Sequence, residues 1–145
     1  MLVQQILKSK ATSGVLTVKS SARVSEAAEV LANNKIGSVV VSDDDGQTAM
    51  GILSERDIVR ELAKSGSGCL DKAVSTYMTC ELVTCTRQTS AQDVLSQMTE
   101  GRFRHMPVVE GGKMIGLVTL GDMVKAQLSE LAMEKEALQG MIMGH

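Results

Sequence analysis

The chain has 145 residues, 43% of them hydrophobic, with one Phe, one Tyr, no Trp and ten Met. That is the length of one compact domain, and its core has to come from Val, Ile, Leu, Ala and Met. A net charge of −2 gives no reason to expect nucleic acid or an anionic membrane as partner. No apolar run reaches the roughly 20 residues that span a bilayer, so a soluble, cytoplasmic protein is expected.

In chain order, residues 1–10 form a short amphipathic stretch without the apolar run of a signal peptide. Residues 15–18 read as a short apolar strand, and residues 19–22 as a polar turn. Val24, Ala27, Ala28 and Leu31 fall at i, i+3, i+4 and i+7, which puts them on one helical face. Residues 37–41 read as a buried strand leading into Asp43, Asp44, Asp45 and Gly46, a hairpin signal because Gly tolerates the positive φ of the turn. Residues 50–53 return as a strand, a helix is expected over residues 55–63, and Ser65, Gly66, Ser67 and Gly68 read as a flexible junction.

The pattern then repeats. Val24, Ala27, Ala28, Leu31 and Ile36 reappear as Ala91, Val94, Leu95, Met98 and Phe103, each 67 positions on. Gly51, Ile52, Leu53, Ser54 and Asp57 reappear as Gly116, Leu117, Val118, Thr119 and Asp122, 65 positions on, so the intervening loop is two residues shorter. Ser90 with Asp93 signals a capping box for the second-repeat helix, whereas Arg23 and Glu26 offer its counterpart a poorer cap. The second hairpin is residues 106–109, Gly111 and Gly112, and residues 114–118; Pro107 cannot donate to a ladder, so its strand should be an edge or begin there. A helix follows from about Leu120, and residues 123–143 keep a helical pattern interrupted by Glu130, Glu134, Lys135 and Glu136. This extension is either a lengthened last helix packed on its own module or a helix that docks a partner.

Cys69, Cys80 and Cys85 are odd in number and lack CxxC spacing, and neither His105 nor His145 stands at a metal-ligand interval from them. They read as small apolar fillers, with no metal site and no disulfide framework. No nucleophile stands beside a plausible base, and no phosphate-binding Walker loop is present, so an enzyme is not expected.

Two copies of strand, helix, strand, strand, helix, each closing on Gly, two apolar residues, Ser or Thr, and an Asp three further on, resemble a tandem pair of CBS (cystathionine β-synthase) domains. Residues 36–41 with 51–57, and 102–109 with 116–122, carry the likeness, supported by residues 6–10 and 74–79 ahead of the two repeats. The resemblance covers residues 3–128 and implies an α/β (α+β) module with two β-α-β-β-α repeats in pseudo-twofold arrangement: 1–68 with the N-terminal segment, 69–128, and a helical extension at 129–145.

It further implies a stand-alone regulatory module that holds AMP, ADP, ATP, NAD, S-adenosylmethionine or a related adenosyl compound in clefts between the repeats. Ser54 with Asp57, and Thr119 with Asp122, would meet ribose and phosphate. The same spacing is also a capping box, which leaves a purely structural role open for these four residues. The base would be held mainly by backbone around Ile36, Gly37 and Ser38, and around Arg102, Phe103, Arg104, His105, Met106 and Pro107, with Thr17, Val18, Thr84 and Cys85 nearby. Arg56, Arg102, Arg104 and His105 are the phosphate candidates, and Gly121 replaces Arg56 in the second copy. A homodimer acting on an unidentified target protein is the implied assembly. The rival readings are a scaffold with degenerate clefts working through its last helix, and a redox regulator using Cys80 or Cys85.

Overall fold

The computed structural model describes residues 1–10 and 15–142. Residues 143–145, including Met143 and His145, lie outside the described residues.

Helix α1 spans Val3–Ser9 and strand β1 Thr17–Val18, shorter than the expected 15–18. Helix α2, Val24–Asn34, buries Val24, Ala27 and Leu31, the stripe its sequence period requires, and Arg23 supplies no side-chain cap. Strands β2, Ser38–Val41, and β3, Gly51–Ser54, pair antiparallel with Ser38 opposite Ser54, while β1 runs parallel to β2. The turn between β2 and β3 is wound on Ser42 and Asp44: Ser42 Oγ accepts from Gly46 N–H at 3.0 Å, and Asp44 Oδ1 from Thr48 N–H at 2.8 Å. Thr48 and then Ser42 hold the Asp44 carboxyl down to about 2.

Helix α3 continues over Glu55–Ser65, and the expected flexible junction is instead a 3-10 helix, Gly66–Asp71. Its Cys69 is buried and its Leu70 packs on the first core, so the Ser-Gly run is anchored from its C-terminal side. Helix α4, Ala91–Gly101, starts at Ser90, whose Oγ accepts from Asp93 N–H at 3.1 Å. Strands β4, His105–Glu110, and β5, Lys113–Thr119, form a second, two-stranded sheet with His105 opposite Thr119. Their two-residue loop has Gly111 at φ 57° and Gly112 at φ 78°, the pair of positive values a type I′ turn demands. Helix α5, Leu120–Ile142, is one unbroken element.

The second repeat lacks a counterpart of β1 beyond a single bridge, Cys85 to Val108. In the first repeat Val40 N–H donates to Leu16 O at 3.4 Å. Pro107 holds the equivalent place, and its carbonyl accepts from Cys85 N–H at 3.0 Å, so its missing N–H falls on this same side. Proline therefore weakens one flank of β4 two residues inside the strand, rather than marking where it starts.

Two apolar cores result. The first gathers Val24, Val39, Val41, Leu53 and Ile58; the second gathers Val94, Met98, Met106, Val118 and Met123. Each also takes in the segment that precedes the other repeat. Val3 and Ile6 of α1 are buried in the second core, and Val74 is buried in the first. Val3 N–H donates to Thr89 O and Ala91 N–H to Met1 O, just as Val74 N–H donates to Ala22 O and Val24 N–H to Lys72 O. Leu7 lies over Gly116 and Met78 over Gly51, where an added Cβ would meet them at 2.8 and 2.7 Å. The pseudo-twofold thus relates residues 1–7 to residues 72–78 as well as repeat to repeat.

Candidate functional site

Because β2 and β4 start beside the caps of α3 and α5, each repeat presents two functional ends close together. Gly37 O accepts from Glu55 N–H at 2.9 Å, and Arg104 O accepts from Leu120 N–H at the same distance. The repeats face each other, so the strand start of one opens toward the helix cap of the other. Two clefts result.

The first, about 1070 Å³, is lined by Val15, Leu16, Ile36, Gly37 and Ser38 of the first repeat, by Thr119 of the second, and by Leu7, Lys8 and Lys10 of the N-terminal segment. The second, about 760 Å³, brings Leu82, Val83, Arg102, Phe103, Arg104 and His105 together with Ser54, Arg56 and Asp57. Gly37, His105 and Thr119 line both, so the clefts share a wall.

The two aspartates are set by their own helices. Asp57 N–H donates to Ser54 Oγ at 3.2 Å and Ser54 N–H to Asp57 Oδ2 at 2.9 Å; Asp122 N–H donates to Thr119 Oγ1 at 3.1 Å and Thr119 N–H to Asp122 Oδ2 at 2.9 Å. Both capping boxes are therefore made. They engage one oxygen of each carboxylate and leave the hydroxyl hydrogens of Ser54 and Thr119 as donors, so capping and ligand contact are compatible roles. Asp57 Oδ1 accepts from Arg60 Nη2 at 2.7 Å, an ion pair within α3. Asp122 pairs instead with Lys10 of the distant N-terminal segment, Nζ to Oδ2 at 2.9 Å.

Ser38 has a different character. It is 5% exposed, lines the first cleft, and its Oγ is buried without a hydrogen-bond partner among the described residues. Burying a hydroxyl unpaired is unfavourable by about 1–3 kcal/mol, which makes this atom a point where the cleft has spare bonding capacity. His105, the residue equivalent to Ser38, is pushed below its ordinary pKa by burial first, then by Arg104 and Lys10, against the opposing pull of Asp122 and Glu55. A neutral imidazole is thus favoured there.

Not every expected residue reaches a cleft, and Asp122 lines neither, meeting the first only through Lys10. Thr17 and Val18 are occupied in β1, two residues beyond Val15 and Leu16, which do line it. Thr84 and Cys85 likewise lie past Leu82 and Val83. Met106 and Pro107 are buried inside β4, and Cys85 is buried, its thiol raised to about 11 by desolvation. That burial corrects the reading of Cys85 as a responsive thiol; Cys80 is exposed. Lys10, Arg60, Arg87 and Glu81 line the clefts and were not singled out by sequence, since they lie outside the repeated motifs.

The duplicated fold and crosswise clefts define a pair of CBS domains, and the family description "CBS domain" matches residues 3–64 and 74–129; the chain belongs to this family. Among relatives, the mitochondrial CBS domain-containing protein CBSX3 of Arabidopsis thaliana is 32% identical over 98% of this chain and 72% of its own length. An uncharacterized 17.7 kDa protein of Acidianus ambivalens is 34% identical over 86% of this chain and 74% of its own. Among solved structures, the CBS-domain containing protein ATU1752 from Agrobacterium tumefaciens superposes with a TM-score of 0.83 at 40% identity, covering 88% of this chain and 99% of that one. The CBS domain pair of protein MJ0100, in complex with 5′-methylthioadenosine and S-adenosyl-L-methionine, reaches 0.75 at 25% identity, covering 87% and 98%. Among the described residues, no helix is long and apolar enough to cross a membrane.

Proposed function

We propose that this CBS-domain pair is a regulatory module that binds adenosyl compounds in its two clefts and signals occupancy to a partner protein, without catalysing a reaction itself. The observation that carries the reading is the crosswise construction of each cleft. A strand start, Ile36 to Ser38 or Arg102 to His105, faces the helix cap of the other repeat across a space large enough for a nucleotide: Thr119 in the first cleft, Ser54 with Asp57 in the second, while Asp122 reaches the first only through its bond to Lys10. The carboxylate accepts both vicinal ribose hydroxyls, the hydroxyl donates to phosphate, and backbone groups read the base edge. The adenosyl ligands of the MJ0100 domain pair support the same class of ligand.

Signalling needs a difference in affinity between two arrangements of the repeats, and a ligand held between them supplies one. Exposed Val59 and Leu62 on α3, with Val124 and Leu128 on α5, favour a homodimer as the signalling unit. Exposed Leu131, Met133, Leu138 and Met141 further along α5 favour, as a second reading, a helix that docks the target.

A thermal-shift panel of AMP, ADP, ATP, NAD and S-adenosylmethionine tests the proposal. At about 100 times its dissociation constant, a ligand specific to the native state adds about 2.7 kcal/mol. At least one compound should raise the melting temperature, and Asp57→Ala or Asp122→Ala should diminish the rise. Inertness of every compound, with partner capture lost on truncation after Leu128, would favour the scaffold reading.

A further inference from the structure

We propose that Lys10 makes the first cleft selective for phosphorylated adenosyl compounds over neutral ones. This rests on the adenosyl reading above and assigns a ligand charge to one of its two clefts.

Lys10 Nζ donates to Asp122 Oδ2 at 2.9 Å and to Leu117 O at 2.8 Å, and both charged side chains are about three-quarters buried. Those two bonds leave the third N–H of the ammonium for the cleft that Lys10 lines, while the Asp122 carboxylate that anchors it lies outside the lining. A phosphate entering the cleft takes that donor while Asp122 keeps the ammonium paired, whereas a neutral nucleoside brings no charge to it. The lysine stem is long and flexible enough to follow the phosphate while its backbone stays in place.

The surroundings agree. Lys8 and Arg87 line the same cleft, and among the described residues none that lines it is acidic. Ser38 Oγ, buried and without a partner among the described residues, adds a donor or acceptor in the same space.

The second cleft is built differently. Glu55, Asp57 and Glu81 line it, and Asp57 draws its cation from Arg60 of its own helix. Phosphate selection through Lys10 therefore belongs to the first cleft.

The test is calorimetric titration with ATP and, separately, with adenosine, on the full chain carrying Asp57→Ala so that the first cleft is read. Lys10→Met and Lys10→Arg are compared on that background. Lys10→Met should weaken ATP by at least tenfold while adenosine binding is unchanged, and Lys10→Arg should restore the ATP preference. If ATP binds but Lys10→Met weakens both compounds equally, or neither, the assignment of Lys10 is overturned and the adenosyl reading stands. If neither compound binds any variant, the assignment of Lys10 is overturned, and the adenosyl reading falls with it only where the thermal-shift panel is also inert.

Discussion

At Asp57 and Asp122 the cap uses Oδ2 of each carboxylate; Asp57 lines the second cleft, whereas Asp122 lines neither and is joined to the first through Lys10. The spacing of Ser or Thr and Asp was legible from sequence, but the sequence posed capping and binding as alternatives, because spacing says nothing about which oxygen is engaged. His105 was legible as a phosphate candidate and as part of the backbone stretch expected to hold the base, but not as a desolvated imidazole. Its burial beside Arg104 and Lys10 depends on tertiary placement, and it holds the pKa down. A depressed folded pKa means that the unfolded chain, titrating near 6.5, binds a proton that the native chain refuses. Stability from this group is complete above about pH 6.5 and is lost as pH falls toward the lower native value. Denaturant midpoints measured from about pH 7.5 to 5 should therefore fall less in His105→Gln than in wild type. Equal slopes in the two proteins would show that His105 is not desolvated.

The elements were legible where hydrophobic period and turn chemistry agree, as in α2, α4 and the Gly111 and Gly112 hairpin. They were misread where a local signal met a tertiary anchor. Ser65 to Gly68 looked like a linker, yet Cys69 and Leu70 tie the segment to the first core. The end of α2 gave no glycine signal, and at the end of α4 the glycine, Gly101, stands one residue before the cap, because Lys35 and Arg102 take the left-handed conformation at φ 53° and 56°. A side chain at such a position is strained by about 1–2 kcal/mol relative to glycine, offset in part by the unfolded-state entropy of glycine. Lys35 is exposed and lines neither nucleotide-sized cleft, so Lys35→Gly should stabilise the protein by about 0.5–1 kcal/mol. In a chain of this size that is roughly 2–4 °C per kcal/mol in a melting curve. A lower melting temperature would mean that the Lys35 side chain contributes contacts beyond its cap.

Across the whole molecule the symmetry extends further than the sequence repeat revealed. The offsets of 67 and 65 exposed the repeats, but the match between the segment starting at Val3 and that starting at Val74 emerges only from parallel hydrogen bonds. Those residues differ too much in type for their register to be read from sequence. Their exchange between cores fastens the two repeats together, and the facing arrangement makes each cleft a product of both. The central proposal is that Ser38 and the cap of Thr119 and Asp122, from different repeats, serve one ligand, whereas Asp57 serves the other cleft. Titration calorimetry with ATP on Ser38→Ala, Asp122→Asn, Asp57→Asn and their pairs tests this directly. Ser38→Ala should weaken binding about 5- to 10-fold and Asp122→Asn about 10- to 100-fold, for hydrogen bonds worth roughly 1 and 1.5–3 kcal/mol. Both should act on the same binding event, with Asp57→Asn leaving that event in place. Loss of the Ser38 event on Asp57→Asn, with Asp122→Asn silent, would contradict the crosswise site.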